Sequence, residues 1–229
     1  MAEIRQIDSH TWSFEDTYVR FFLLEGDDQA VLIDSGVACP DALELAKTLT
    51  DKPIILLNTH GDGDHLSGTV LFSEIHMHEL DFVNCKVGSR FPGVSLVPVD
   101  DGDVIDLGGR PLRMIHIPGH TKGSLAILDV TNRVLFGGDS VQKGHIFMFG
   151  AHRDTEQYES SLDKLIAMKD EFDHIYASHD ELVLDNDYTE KVKSAWQLVR
   201  QGKVPYEMTE LHGTNVKSYT TDVCGFYID

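Results

Sequence analysis

Positive charge is scarce in this chain. Its 229 residues include 19 lysines and arginines against 38 aspartates and glutamates, a formal charge of −19. A surface that negative repels phosphate backbones and anionic headgroups, so neither nucleic acid nor a membrane surface is an expected partner. Cysteine is sparse too. Cys39, Cys85 and Cys224 are far apart and form no Cys-x-x-Cys pair, which excludes a disulfide framework and a thiolate metal site from the expectations. No stretch approaches the ~20 consecutive apolar residues of a membrane span, and the opening residues lack the apolar core of a signal peptide. The expected location is therefore cytoplasmic. No Ser/Gly/Pro-rich linker interrupts the chain and no repeat is visible, so residues 1–229 are read as one domain.

What the chain does have is an ordinary globular composition, 41% hydrophobic and 25% charged, together with twelve histidines. Short β-like runs over residues 4–7, 18–24 and 30–33, split by a Glu25-Gly26-Asp27-Asp28 turn, predict an N-terminal antiparallel sheet. Ala42, Leu45, Ala46 and Leu49 have helical spacing, and the apolar run Ile54-Ile55-Leu56-Leu57 reads as a buried strand. Strand signals recur over residues 96–99, 104–107, 112–117, 124–128 and 133–136, predicting a second sheet. Asp154 with Gln157 resembles a capping box for a helix carrying Tyr158, Leu162 and Leu165. A short strand over 175–177 and a helix from about residue 188 follow. Weak strands over 216–219 and 223–227 close either a sheet edge or a homodimer contact.

The strand over 54–57 runs into His60-Gly61-Asp62-Gly63-Asp64-His65, four metal-competent side chains in six residues. The two glycines let the backbone turn so that several donors converge, and strand ends are the usual place for sites in α/β folds. A surface turn does not explain histidine and aspartate at this density. His120, Asp139 and His179 each follow another apolar run, in Pro118-Gly119-His120-Thr121-Lys122-Gly123-Ser124, Gly137-Gly138-Asp139-Ser140 and Ala177-Ser178-His179.

In the order, context and spacing of these motifs, over roughly residues 17 to 180, the chain resembles the metallo-β-lactamase superfamily. The resemblance implies an α/β fold, a four-layer αβ/βα sandwich with a two-metal site in the groove between the sheets. It implies one metal on His60, the residue at position 62 and His120, a second on Asp64, His65 and His179, and Asp139 bridging both. The implied cofactors are two divalent transition metals, zinc or iron, with manganese also open. A water shared by two cations becomes a nucleophile near neutral pH, with Asp64 and Asp139 as the catalytic carboxylates that orient it. The expected activity is metal-dependent hydrolysis of a small ester, thioester or lactone, as in the hydroxyacylglutathione hydrolase and lactonase branches.

Asp62 departs from the family, most of which has histidine there. A carboxylate is harder than imidazole and favours oxygen-preferring ions. The flavodiiron oxygen and nitric oxide reductases carry glutamate at this position, so the alternative is a non-haem diiron protein that binds or reduces oxygen or nitric oxide. Lys143, His145 and Arg153 are the candidate contacts to a small-molecule substrate. His145 or Tyr158 is the candidate proton donor to the leaving group, besides the water shared with Asp64. Phe147, Met148 and Phe149 read equally as pocket wall or core. His76 and His78 would share a strand face, and His116 reads as a structural histidine.

Overall fold

Leucine, valine, isoleucine and phenylalanine fill the strands in alternation, so that neighbouring side chains enter different layers. The structure is a computed structural model and describes residues 2–85 and 90–229. Its first sheet runs in chain order: β1 (Glu3–Asp8), β2 (Thr11–Asp16), β3 (Val19–Glu25), β4 (Ala30–Ile33), β5 (Ile54–Leu57), β6 (Glu74–Met77) and β7 (Ser95–Pro98). β1 to β4 pair antiparallel and β4 to β7 parallel. The second sheet is built from β8 (Val104–Asp106), β9 (Pro111–His116), β10 (Leu125–Asp129), β11 (Val134–Gly138), β13 (His174–Ala177) and β14 (Val183–Asp185). Its order is β14-β13-β11-β10-β9-β8.

Alternation along β3 shows how the layers form. Phe22 and Leu24 face the second sheet and pack with Met114, Leu125, Ile127 and Phe136. Phe21 and Leu23 face the other way, toward the helix Ala42–Ala46, in a cluster with Phe14, Leu56 and Met77. The outer face of the second sheet is covered by the helices Tyr158–Ala167 and Tyr188–Arg200, through Leu135, Ile175, Leu162, Leu165 and Trp196. Helix, sheet, sheet and helix make the α/β sandwich that the family resemblance implies. No helix among the described residues is long and apolar enough to cross a membrane.

A third sheet, in the order β12-β17-β16-β15, is formed by β12 (His145–Phe147), β15 (Tyr206–Leu211), β16 (Thr214–Thr220) and β17 (Gly225–Ile228). β12 and β17 pair in parallel, which ties the C-terminal stretch to the segment after Asp139. The sequence reading misses β15 because most of its residues are exposed and no buried face gives it a period. It misses β2 for the opposite reason. Thr11 and Ser13 are buried beside Trp12 and Phe14, with Thr11 Oγ1 accepting from Arg110 Nη2 at 2.7 Å and Ser13 Oγ donating to Glu15 at 3.1 Å. Buried and bonded hydroxyls erase the polar half of the alternation. Asp154 does cap a turn, accepting from the Gln157 amide at 3.0 Å, and the helix itself begins one residue after Gln157.

Trp196, 1% exposed, stands edge-on to Tyr158 with ring centres 5.2 Å apart and leans on Phe226. Truncation there opens a cavity between the helices and the third sheet. Trp196→Ala is expected to cost about 3–5 kcal/mol, read as a lowered urea midpoint at unchanged slope.

Candidate metal centre

All seven ligand-type residues named from the sequence come from loops that follow strands. His60, Asp62, Asp64 and His65 follow β5, His120 follows β9, Asp139 follows β11 and His179 follows β13. Gly138, at φ 53°, adopts a left-handed turn that directs Asp139 inward, and a Cβ on it would come 3.1 Å from the Thr59 side chain.

Each imidazole has one nitrogen spoken for. His65 Nδ1 bonds Asp34 Oδ2 at 2.9 Å, His60 Nδ1 bonds Thr59 Oγ1 at 2.9 Å, and His120 Nδ1 donates to the Phe147 carbonyl at 3.0 Å. His179 Nδ1 donates to the Tyr18 carbonyl at 2.7 Å. Thr59 Oγ1 donates its own proton to Asp34 Oδ2 at 2.8 Å, so it accepts from His60. These acceptors leave Nε2 of every ring turned toward the same volume.

Asp139 is 7% exposed and stands at the centre. Its Oδ2 lies 3.1 Å from His179 Nε2, 3.6 Å from His120 Nε2 and 3.9 Å from His60 Nε2, while Oδ1 lies 3.3 Å from His65 Nε2. His65 Nε2 and Asp139 Oδ1 are buried without a hydrogen bond, and the Nε2 atoms of His60 and His120 face each other at 3.2 Å. Two neutral imidazoles whose Nδ1 atoms carry the protons would oppose lone pairs there. A cation between them removes that repulsion.

The electrostatics agree. Burial holds His60 well below the ordinary imidazole pKa, with the charge of His65 adding to the effect. At His65 burial pulls the same way, but the carboxylates of Asp139, Asp34 and Asp64 outweigh it and hold the group well above its usual value. Burial alone would raise Asp139; the charges of His179, His65 and His60 hold it well below the carboxylate range instead. A site that retains protons on buried imidazoles by this means has the field to retain a metal ion.

Two groups of donors could each hold a metal: Asp64, His65, Asp139 and His179, and His60, His120 and Asp139. Donors ~2.1 Å from a tetrahedral ion lie roughly 3.4 Å apart, and the 3.1–3.9 Å separations among these Nε2 and Oδ atoms fit that spacing. A third group, His78, Asp100 and His116, fits less well. The two rings stack 3.9 Å apart and 9° from parallel, so one ion could not lie in the plane of both.

Several supporting residues escape the sequence reading. Asp34, at φ 64°, accepts from Asn58 Nδ2, the Thr59 amide and the Thr59 hydroxyl besides bonding His65. The buried Asp81 carboxylate accepts from the Gly61 and Gly123 amides and from Thr121 Oγ1, joining the loops of His60 and His120. Tyr18 stacks on His179 at 6.0 Å. Only Asp34, in the Ile33-Asp34-Ser35-Gly36 turn at a strand end, carries a signal that reasoning from sequence could have used.

The remaining candidates divide. Phe147, Phe149, His145 and Arg153 line a cavity of about 910 Å³ beside Asp64, Asp139 and His179, with His212 and Tyr227 completing the wall, whereas Met148 is core. Lys143 pairs with Glu181 and is not among the lining residues. Arg153 is bonded to Asp62. Tyr158 is corrected as a proton donor: its hydroxyl is buried and donates to the Ser140 carbonyl at 2.6 Å, and burial holds its pKa well above the usual phenol value.

The family model described as the metallo-beta-lactamase superfamily matches residues 15–179. The chain belongs to this superfamily. Among curated relatives of this metallo-β-lactamase-fold protein is the acyl-coenzyme A thioesterase MBLAC2 of Homo sapiens, 26% identical over 188 residues, covering 65% of this chain and 67% of that one. A hydroxyacylglutathione hydrolase of Photobacterium profundum is 32% identical over 177 residues, covering 73% of this chain and 63% of the relative. This chain thus spans about two thirds of the length of these relatives. Among solved structures, a metallo-beta-lactamase from Pontibacter korlensis superposes with a TM-score of 0.74 at 20% identity, covering 86% of this chain and 99% of that one. The relatives are named as hydrolases, and this member of the superfamily is an enzyme of that class.

Asp34 orients His65 and, through Thr59, His60. Asp34→Ala is expected to lower metal affinity about 10- to 100-fold, measured by competition with a chromogenic chelator, in protein that remains folded by circular dichroism.

Proposed function

We propose that this superfamily member is a metal-dependent hydrolase of a small ester, thioester or lactone. The observation that carries the reading is the opposed pair of Nε2 atoms on His60 and His120, 3.2 Å apart with both Nδ1 atoms already engaged. In this reading His60, His120 and Asp139 would hold one ion and Asp64, His65, Asp139 and His179 another, and bound metal would supply an acidified water and a polarised substrate carbonyl.

The chain's own residues do the rest. Asp64 lines the cavity with its side chain 24% exposed, so its carboxylate is within reach of a water in the site. It takes the proton of the attacking water and returns it to the leaving oxygen or sulfur. His145 is less suited to that task, because burial lowers its pKa and Ser218 and Thr220 hold its Nε2 at 3.3 and 3.4 Å. Stacked on Tyr227, it forms wall instead. Phe147, Phe149 and Tyr227 provide an apolar face for an acyl group. The relatives' names, an acyl-coenzyme A thioesterase and a hydroxyacylglutathione hydrolase, support cleavage of an acyl bond.

Protein stripped by a chelator and dialysed should lose hydrolysis of aryl-ester, thioester and lactone substrates and regain it on adding back zinc or manganese. Stripped protein with full turnover would overturn the proposal. His120→Ala and His179→Ala should each lower kcat/KM at least about 100-fold while leaving the unfolding transition in place; near-native turnover in either would remove that residue from the reacting centre.

A further inference from the structure

Asp62 stands where most of the superfamily has a neutral imidazole. Its Oδ2 lies 3.3 Å from His120 Nε2 and 3.8 Å from His60 Nε2, a separation suited to donors sharing one ion. The shorter aspartate side chain therefore reaches the site. The same oxygen accepts from Arg153 Nη2 at 2.6 Å, while Oδ1 accepts from Arg153 Nη1 at 3.1 Å and from Asn84 Nδ2 at 2.7 Å. This is a two-pronged guanidinium–carboxylate pair, the geometry that holds both groups most rigidly.

Burial makes the pairing decisive. The Arg153 side chain is 13% exposed and that of Asp62 is 18% exposed. The arginine is held from behind, since the next amide, Asp154 N, donates to the Gly119 carbonyl in the loop that carries His120. A guanidinium fixed this close to a cation-binding site works against metal binding unless its charge is spent.

Resting on the proposal that these residues hold metal, we infer that Asp62 and Arg153 work as one unit, a carboxylate donor whose charge is cancelled by its own arginine and which replaces the family's neutral histidine. Arg153 is then a positioning and charge-compensating residue, and it is not free to bind a substrate carboxylate. The part of the iron preference that rests on an added negative charge at this position is removed, because the pair carries no net charge, while the hard oxygen donor remains.

The test compares zinc affinity, by chelator competition, in wild type, Asp62→His and the double variant Asp62→His with Arg153→Leu. Asp62→His alone leaves the guanidinium unpaired beside a cation and should weaken one metal equivalent about 10- to 100-fold. Removing Arg153 in that background should recover most of the loss. Arg153→Leu alone frees the carboxylate charge and should raise the ratio of manganese to zinc affinity. Arg153→Gln repeats the comparison should the leucine variants fail to fold. A double variant that binds zinc no better than Asp62→His would overturn the inference, since an arginine that merely braces the loop makes the second substitution harmful. Wild type that binds no metal would overturn the underlying proposal as well, whereas tight wild-type binding without recovery in the double variant overturns this inference alone.

Discussion

A carboxylate ringed by four imidazoles is costly to bury, and the structure is organised around holding one. Asp139 meets Nε2 of His179, His65, His120 and His60 within 3.9 Å. That arrangement requires each ring to be fixed from the far side, and the four acceptors that do so come from separate places: Asp34 at the end of β4, Thr59 after β5, Phe147 in β12 and Tyr18 before β3. Packing the two sheets face to face brings these strand ends together. Arg20 then locks the sheets at the same edge, donating from its side chain to the carbonyls of Ala177 at 2.9 Å and Asp180 at 3.1 Å on either side of His179.

The third sheet converts this centre into a pocket. β12 carries both the carbonyl that orients His120 and the Phe147 ring that faces the cavity, so the metal-binding region and the apolar wall are built from one short strand. Tyr227 reaches the same wall through the parallel pairing of β17 with β12, and His212 arrives from the turn between β15 and β16. Part of the cavity wall thus depends on the C-terminal segment, outside the residues 15–179 that the superfamily model matches.

Many of the strands, though not β2 or β15, are legible in the sequence because each has a local cause, and so is the clustering of seven candidate donors. Apolar runs end in Gly, Pro or Asp, and His60 to His65 concentrate chemistry in six positions. What surrounds them is not legible, because its causes are distant in the chain. Arg153 and Asp62 lie 91 residues apart, and nothing local distinguishes this arginine from a solvated one or from a substrate contact. Tyr158 reads, with His145, as a candidate acid, yet helix packing turns its hydroxyl into the core against Ser140. Asp81 lies in an unremarkable turn, and only the fold reveals that it braces the loops on both sides.

We propose that these side chains form two adjoining metal positions sharing Asp139. Crystals of metal-loaded protein measured on either side of the zinc and iron absorption edges test it directly. Two anomalous peaks are expected, one bounded by His60, His120 and Asp139 with Asp62 alongside, the other by Asp64, His65, Asp139 and His179. A map with no peak at Asp139, or with the metal at His78 and His116 instead, would contradict it.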